Sequence, residues 1–267
     1  GSRFVNSAGA GALTATNGRW LVWSSNSNPF GGATPDNRGG LAYGFKQYNA
    51  TYGVTPVQGA GNGFLYTVAP IITPSLTGTV SKVYDGNNTA MLAPANLIAS
   101  GAVDGDSVVL AAASAIYDSR NVGTGKTVTA TGITASASNG TAAVYGYTVS
   151  PSSASGPVGE ITPAALTVSS IGAVSTTYGT PAATGAVSLN GVISGDSVTS
   201  TASLVGPTYS TSGNLSAGSY AQSAGSLGGA DAGNYTLTAY TTPTNNYSVG
   251  QLALTGAAIA ASGSTYG

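Results

Sequence analysis

Short apolar runs, most of them rich in Val, Ile, Leu and Tyr, recur along this chain between clusters of Gly, Asn and Ser. Arg19-Trp20-Leu21-Val22-Trp23-Ser24 alternates with the period of two that a half-buried strand shows. Asn62-Gly63-Phe64-Leu65-Tyr66-Thr67-Val68 is a second strand with an aromatic face. Val108-Val109-Leu110, Thr127-Val128-Thr129, residues 144–149 and Leu166-Thr167-Val168 are β-branched or aromatic runs of strand length. Between them, Asp85-Gly86, Asp104-Gly105, Asn139-Gly140 and Ser194-Gly195 supply turn chemistry, because Gly and short polar side chains suit tight turns. No window carries a 3.6-residue apolar period with caps. The best helical stretch, residues 95–100 after Pro94, is barely one turn. The pattern predicts a mostly β fold.

Those runs are not independent of one another. Ala165-Leu166-Thr167-Val168 through Ile171 to Thr177-Tyr178-Gly179 returns as Ala253-Leu254-Thr255-Gly256 through Ile259 to Thr265-Tyr266-Gly267, 88 residues later. A more divergent copy runs earlier, through Leu76-Thr77 to Val83-Tyr84-Asp85-Gly86. Gly101-Ala102-Val103-Asp104-Gly105-Asp106-Ser107-Val108 matches Gly191-Val192-Ile193-Ser194-Gly195-Asp196-Ser197-Val198. Tyr147-Thr148-Val149 is echoed by Tyr235-Thr236-Leu237, and Gly159-Glu160-Ile161 by Gly250-Gln251-Leu252. Blocks that recur in one order define a repeat unit. Four segments follow: a β cap, or the end of a β-helical region, over residues 1–74; repeat domains over 75–164 and 165–252; and the opening strand of a further repeat over 253–267. The first segment differs in kind, holding both tryptophans and all four phenylalanines around an Asn-, Gly- and Pro-rich loop at residues 26–40. Aromatics bury much area per residue, so this segment has the means to close a compact cap. The repeats are expected to stand in an elongated array with many small cores.

Composition narrows the chemistry. Charged residues make up only 6% of the chain, 42% is apolar, and the net charge is −1. Disorder couples low hydrophobicity to high net charge, so the chain is expected to fold. Its seven basic residues, Arg3, Arg19, Arg38, Lys46, Lys82, Arg120 and Lys126, are scattered, and none follows Lys126. No basic cluster exists to displace counterions from a nucleic acid, and no such partner is expected. No apolar run nears the ~18 residues of a membrane-spanning helix, so no membrane insertion is expected. The chain has neither Cys nor His, which excludes thiol nucleophiles, disulfides, thiolate or imidazole metal sites and His-based triads. A chain without Cys suits export in an extended state. Gly1-Ser2 has the form of a cloning remnant, so the lack of a visible signal peptide says nothing about the parent protein.

At this level of detail the chain resembles the region beyond the β-helix of filamentous-haemagglutinin-type exoproteins of the two-partner-secretion class. The residues that carry the likeness are Phe4-Val5-Asn6-Ser7-Ala8-Gly9, Gly18-Arg19-Trp20-Leu21-Val22-Trp23-Ser24 and Gly61-Asn62-Gly63-Phe64-Leu65-Tyr66. Residues 75–164 resemble the YDG repeat named for Tyr84-Asp85-Gly86. Residues 165–252 resemble its sister, the MBG repeat of the Tyr-Gly-X type, through Tyr178-Gly179-Thr180. The resemblance implies a large adhesin or biofilm-matrix protein of Gram-negative bacteria, exported through an outer-membrane secretion pore and displayed at the cell surface. It also implies small β-rich, β-grasp-like repeat domains, and it offers no catalytic residues, cofactor or metal ligands to carry over.

The candidate chemistry is correspondingly thin. Asp104 and Asp106 are the closest carboxylate pair, and a glycosidase needs two such groups flanking a bond. The second repeat has Ser194 and Asp196 there, so turn chemistry is the preferred reading. Calcium takes six to eight oxygen ligands; the alternative to no metal is a weak site near Asp85, Asp104, Asp106 or Asp118. Tyr84, Tyr178 and Tyr266 share one repeat position. They are expected to pack into each domain with the hydroxyl on backbone, and sugar stacking is the rival use. Six Asn-X-Ser/Thr sequons begin at Asn49, Asn87, Asn139, Asn214, Asn234 and Asn246, about as many as composition yields by chance. A Lys–Asn isopeptide bond cannot be general here, because the second repeat has no Lys. The expectation is a non-catalytic stalk or spacer segment of a secreted surface protein; a module that binds polysaccharide or a cell-surface ligand, with its contact residues unknown, is the alternative.

Overall fold

The computed structural model describes residues 2–256. The chain divides into two compact units, Gly1–Lys82 with Asn87–Ile161, and Val83–Gly86 with Thr162–Gly267. The fold is mostly β, as the pattern predicts. Among the described residues the only helical segments are two three-residue 3₁₀ turns, Pro94–Asn96 and Ala232–Asn234. A sheet gripping a long helix is therefore not how these cores are closed.

The first unit contains β1 (Leu21–Ser24), β2 (Phe45–Gln47), β3 (Gly63–Tyr66), β4 (Ile71–Leu76), β5 (Val80–Val83), β6 (Leu97–Ser100), β7 (Ser107–Ala111), β8 (Ser114–Tyr117), β9 (Gly123–Thr131), β10 (Thr134–Asn139), β11 (Ala142–Tyr145), β12 (Thr148–Val149) and β13 (Ser153–Thr162). Val83 and Thr162, at the ends of β5 and β13, already belong to the second unit. One sheet runs β1-β3-β2-β11-β10-β7, a second β12-β4-β6, and a third β5-β13-β9-β8. In the first sheet β3 is parallel to both β1 and β2, and β2 is parallel to β11. The strand between β1 and β2 is thus the third in the chain, whereas successive β-helix rungs stack in chain order. Residues 1–74 and 75–164 share this six-stranded sheet, so the sequence division at 74/75 falls inside one compact unit. β2 and β3 are buried on both faces, as central parallel strands are. Phe45 needs two glycines to fit there. A Cβ on Gly59 or Gly63 would lie 2.1 Å from its ring.

The second unit contains β14 (Ala164–Ile171), β15 (Val174–Thr177), β16 (Val187–Asn190), β17 (Thr199–Leu204), β18 (Gly218–Tyr220), β19 (Gln222–Gly228), β20 (Tyr235–Leu237) and β21 (Tyr247–Gly250). Its sheets run β16-β14-β20, β15-β21-β18 and β17-β19. Each has a counterpart in the first unit. β14 is parallel to β20 and antiparallel to β16, as β4 is to β12 and β6. β21 is antiparallel to β18 as β13 is to β9, and β17 pairs β19 as β7 pairs β10. The repeat seen in the sequence is therefore a repeat of topology. Of the expected opening strand of a third repeat, residues 253–256 have no regular structure and 257–267 lie outside the described residues.

Packing differs between the units. In the first unit Val22, Leu41, Tyr48, Phe64, Tyr66 and Val144 form a buried cluster that Phe4, Trp20, Phe30 and Tyr43 extend. Its rings meet edge to face, for example Trp20 on Phe64 at 5.3 Å and Phe30 on Tyr66 at 4.9 Å, the arrangement their quadrupoles favour. In the second unit a smaller cluster of Tyr220, Tyr247 and Val249 is flanked by Val174, Tyr178, Leu204 and Leu215.

Candidate functional site: paired aspartate sockets

The aspartate common to both repeats is the centre of a polar socket in each. In the first unit Asp104 and Gly105 turn the chain ahead of β7, both with positive φ (+55° and +68°). Asp is one of the few non-glycine residues that tolerate this region. The turn carries Asp106 inward, where its side chain is fully buried. Its Oδ2 accepts the hydroxyls of Tyr48 (2.6 Å) and Tyr147 (2.9 Å), and its Oδ1 accepts Asn139 Nδ2 (2.9 Å). Tyr147 Oη in turn accepts the amide of Val103 at 2.9 Å. Lys46, on β2 and also fully buried, donates from Nζ to Asp106 Oδ1 and to Asp104 Oδ2, the latter at 2.5 Å. Asp104 Oδ1 takes Arg38 Nη2 at 2.6 Å. The guanidinium lies 5.4 Å from the Tyr43 ring centre and 5.7 Å from that of Phe64.

Two carboxylates and two cations balance in this socket. That balance is what burial demands, since an unpaired charge in a low dielectric costs far more than a paired one. The same surroundings act on the phenols. Burial first, then the Asp106 carboxylate, pushes Tyr48 above its ordinary value; burial and the same carboxylate push Tyr147 up to about 12. Tyr66 nearby is raised by burial.

The second unit repeats the core of this arrangement. Asp196 Oδ2 accepts the hydroxyls of Tyr84 (2.8 Å) and Tyr235 (2.6 Å), and Tyr235 Oη accepts the amide of Ile193 (3.0 Å). The rings of Tyr84 and Tyr235 meet edge to face at 5.4 Å and 79°; Tyr48 and Tyr147 do so at 5.0 Å and 73°. In both turns the aspartate amide donates three residues back, Asp106 to Val103 and Asp196 to Ile193. Tyr235 and Tyr147 are equivalent residues of the two repeats. Tyr84 and Tyr48 are not; each arrives from chain that precedes the repeat it serves. Burial, and then the hydrogen bond to Asp196, raises the Tyr235 phenol.

Asp104 and Asp106 thus meet as parts of one salt-bridged cluster, with Asp106 closed to solvent and engaged on both oxygens. The four acidic residues named for calcium are not brought together. Asp85 falls in the second unit, and Asp118 pairs with Lys126 at 2.8 Å. Among the described residues no three His, Cys, Asp or Glu gather into a metal-sized group. Tyr84 is buried, and its hydroxyl donates to the Asp196 carboxylate. Tyr178 is half-buried and its hydroxyl meets Ser210 at 2.9 Å; Tyr266 lies outside the described residues. Of the sequons, Asn139 and Asn246 use their side-chain amides internally and Asn234 is buried, whereas Asn49 and Asn87 are exposed. Sequence reasoning missed the tyrosine–aspartate pairing. Its signal was present: the Gly-Asp-Ser-Val and Tyr-Thr blocks recur together in both copies.

Residues 69–154 match the family model of the YDG domain, about a third of the chain. No curated protein and no solved structure matches the chain. The matched stretch contains Asp106 and Tyr147 but neither Tyr48 nor Lys46, so the preceding segment supplies half of the first socket. The match supports a YDG/MBG-type region and fits a surface or adhesin-like module.

Proposed function

We propose that this chain is a structural spacer segment of a large secreted surface adhesin or biofilm-matrix protein of Gram-negative bacteria, with no catalytic activity of its own. In this reading the parent protein leaves through an outer-membrane pore of the two-partner type. The observation that carries the spacer reading is the reuse of one topology with one buried tyrosine–aspartate socket, in which the chain's most reactive side chains are consumed by internal bonds. A segment selected for repetition and for satisfied polar cores serves to extend and present, and repeat proteins draw their stability from such stacked small cores.

A binding module is the second reading, and one place favours it. Tyr52 is 77% exposed and meets the half-buried Trp23 edge to face at 5.5 Å, beside a cavity of about 230 Å³ that Thr51 and Thr67 help to line. The two readings separate on a glycan array and on cell-surface binding by the labelled full chain. The spacer reading expects no saturable binding. Saturable binding that Tyr52→Ala abolishes would replace it with the binding reading.

A further inference from the structure

Tyr84 occupies an unusual place in the chain. It follows β5, and its flanks in sequence belong to the first unit, yet Val83–Gly86 is part of the second unit. Three features hold it there. Its amide donates to Thr162 O at 2.8 Å, at the end of β13; its hydroxyl reaches Asp196; and its ring meets Tyr235. Gly86, at φ +80°, completes the turn so closely that a Cβ would come within 3.0 Å of Ile193 Cγ2. The Tyr-Asp-Gly turn of one repeat is a plug, and the Gly-Asp turn of the next repeat is its socket.

Tyr178 is the same residue one repeat later. It follows β15 as Tyr84 follows β5, and its amide donates at 2.8 Å to Gly250 O at the end of β21, the counterpart of β13. Gly179 has φ +84°, matching Gly86 at +80°. The surroundings are where the two part. The Tyr178 hydroxyl meets Ser210 and Ser212 at 2.9 and 3.3 Å, and these hydroxyls with Asn214 hold the phenol below its ordinary value. Around Gly179 there is open space where Gly86 has Ile193. Beside the turn lies a cavity of about 240 Å³ bordered by Pro181, Leu204, Leu215 and the exposed Tyr209. In sequence, residues 253–267 repeat 165–179, which places a further copy of the repeat directly after β21.

We propose that the Tyr178-Gly179-Thr180 turn is the docking plug for a following copy of this repeat, with its hydroxyl received by that copy's Asp196-equivalent carboxylate and its ring by that copy's Tyr235-equivalent. Repeats would then interlock in one direction, each lending a tyrosine to the next. Tyr48 plays the same part for the first repeat from a different strand, which shows that the socket, not the plug's own fold, is the fixed element. The inference rests on the spacer reading only in taking the partner to be another repeat. A failure below would leave the glycan-array outcome untouched.

The test compares the chain as it is with one in which residues 1–252 are followed in phase by a second copy of residues 165–252. Hydrogen exchange of the amides at 177–180 should slow at least tenfold in the extended chain. Tyr178→Phe should lower the unfolding midpoint of the extended chain about as much as Tyr84→Phe does, and lower that of the unextended chain, where it loses only the contacts to Ser210 and Ser212, by clearly less. Changing the added copy's aspartate to Asn, at the position equivalent to Asp196, should abolish the gained protection. Equal exchange at 177–180 in both chains overturns the proposal, whether the added copy folds or not. So does a Tyr178→Phe cost that is the same in both.

Discussion

The sockets around Asp106 and Asp196 share two phenols, an amide and a turn, yet they sit in repeats of different composition. Asp106 is closed off by an aromatic cluster and answered by Lys46, Asn139 and, through Asp104, Arg38. Asp196 lies in a repeat whose own sequence contains no Lys or Arg at all. A carboxylate fully withdrawn from water needs a countercharge, and the first socket draws Lys46 from the preceding segment to provide one. At Asp196 the hydroxyls of Tyr84 and Tyr235 are fixed donors to one carboxylate oxygen. The cap and the first repeat are therefore bound together by charge as well as by a shared sheet.

Removing the aspartates should separate the two cases most sharply. Asp106→Ala leaves Lys46 with one acceptor fewer and strands two hydroxyls and an amide in a dry site, a loss of about 3–5 kcal/mol by the usual cost of breaking a buried charge pair. Asp196→Ala strands the hydroxyls of Tyr84 and Tyr235 and is expected to lose about 1–3 kcal/mol. Both tryptophans lie in the first unit, so urea unfolding followed by Trp fluorescence reads the first variant. Exchange of amides 164–171 reads the second. Equal losses would mean that the lysine adds nothing to the socket.

Alkali should act on the same contrast more gently. Unfolded tyrosines ionise near 10, whereas Tyr147 in the folded chain is pushed up to about 12 and Tyr48 and Tyr66 are also raised. Above pH ~10 the unfolded chain therefore sheds protons that the folded first unit keeps, and stability falls as pH rises. Below that pH the contribution is intact. In the second unit Tyr235 is raised but Tyr178 is lowered, so their effects oppose. Trp fluorescence should report loss of the first unit between about pH 10 and 12, ahead of the loss of protection at 164–171. The reverse order would contradict the burial argument.

Single hydroxyls come next in size. Tyr84→Phe keeps the ring contact and removes one bond to a carboxylate, about 1–2 kcal/mol from the second unit and none from the first. An effect of Tyr84→Phe on Trp-monitored unfolding would show that Tyr84 belongs with the first unit after all.

Much of this was legible in the chain before the fold was known, for identifiable reasons. Period-two alternation marked β1 and β3, and glycine turns marked the Asp104-Gly105 and Asn139-Gly140 corners, because both signals are local. The equivalence of the two repeats was legible because topology forces the same residue types into the same blocks. The partners were not. Nothing local says that β2 joins β11 across almost a hundred residues, or that Lys46 should answer Asp106, since the sheet register alone makes them neighbours. The Tyr84–Asp196 bond was not legible for the same reason: a hydroxyl's partner is set by tertiary approach. The scattering of basic residues in the sequence hid the convergence of Arg38 and Lys46 on Asp104.

The smallest expected effect tests whether burial, rather than charge pairing as such, makes the first socket strong. Asp118 and Lys126 form a second Lys–Asp pair in the same unit, at 2.8 Å, with the Asp118 side chain 47% exposed. The hydrogen bond from Lys126, and then that from the Thr127 amide, holds the Asp118 carboxyl below its ordinary value. A depressed carboxyl contributes stability above its unfolded value, near 4, and loses it as pH falls through its folded one. Here solvent screens the pair, and exposed pairs are typically worth about 0–1 kcal/mol. Asp118→Asn should therefore shift the urea midpoint at pH 7 by no more than the equivalent of about 0.5 kcal/mol, and 0.5 M NaCl should erase even that. The loss from Asp106→Ala should persist in the same salt, because counterions do not reach a carboxylate enclosed by Tyr48, Tyr147 and Lys46. If salt removed both losses alike, the first socket would be an open ion pair, and its aromatic enclosure would not govern its strength.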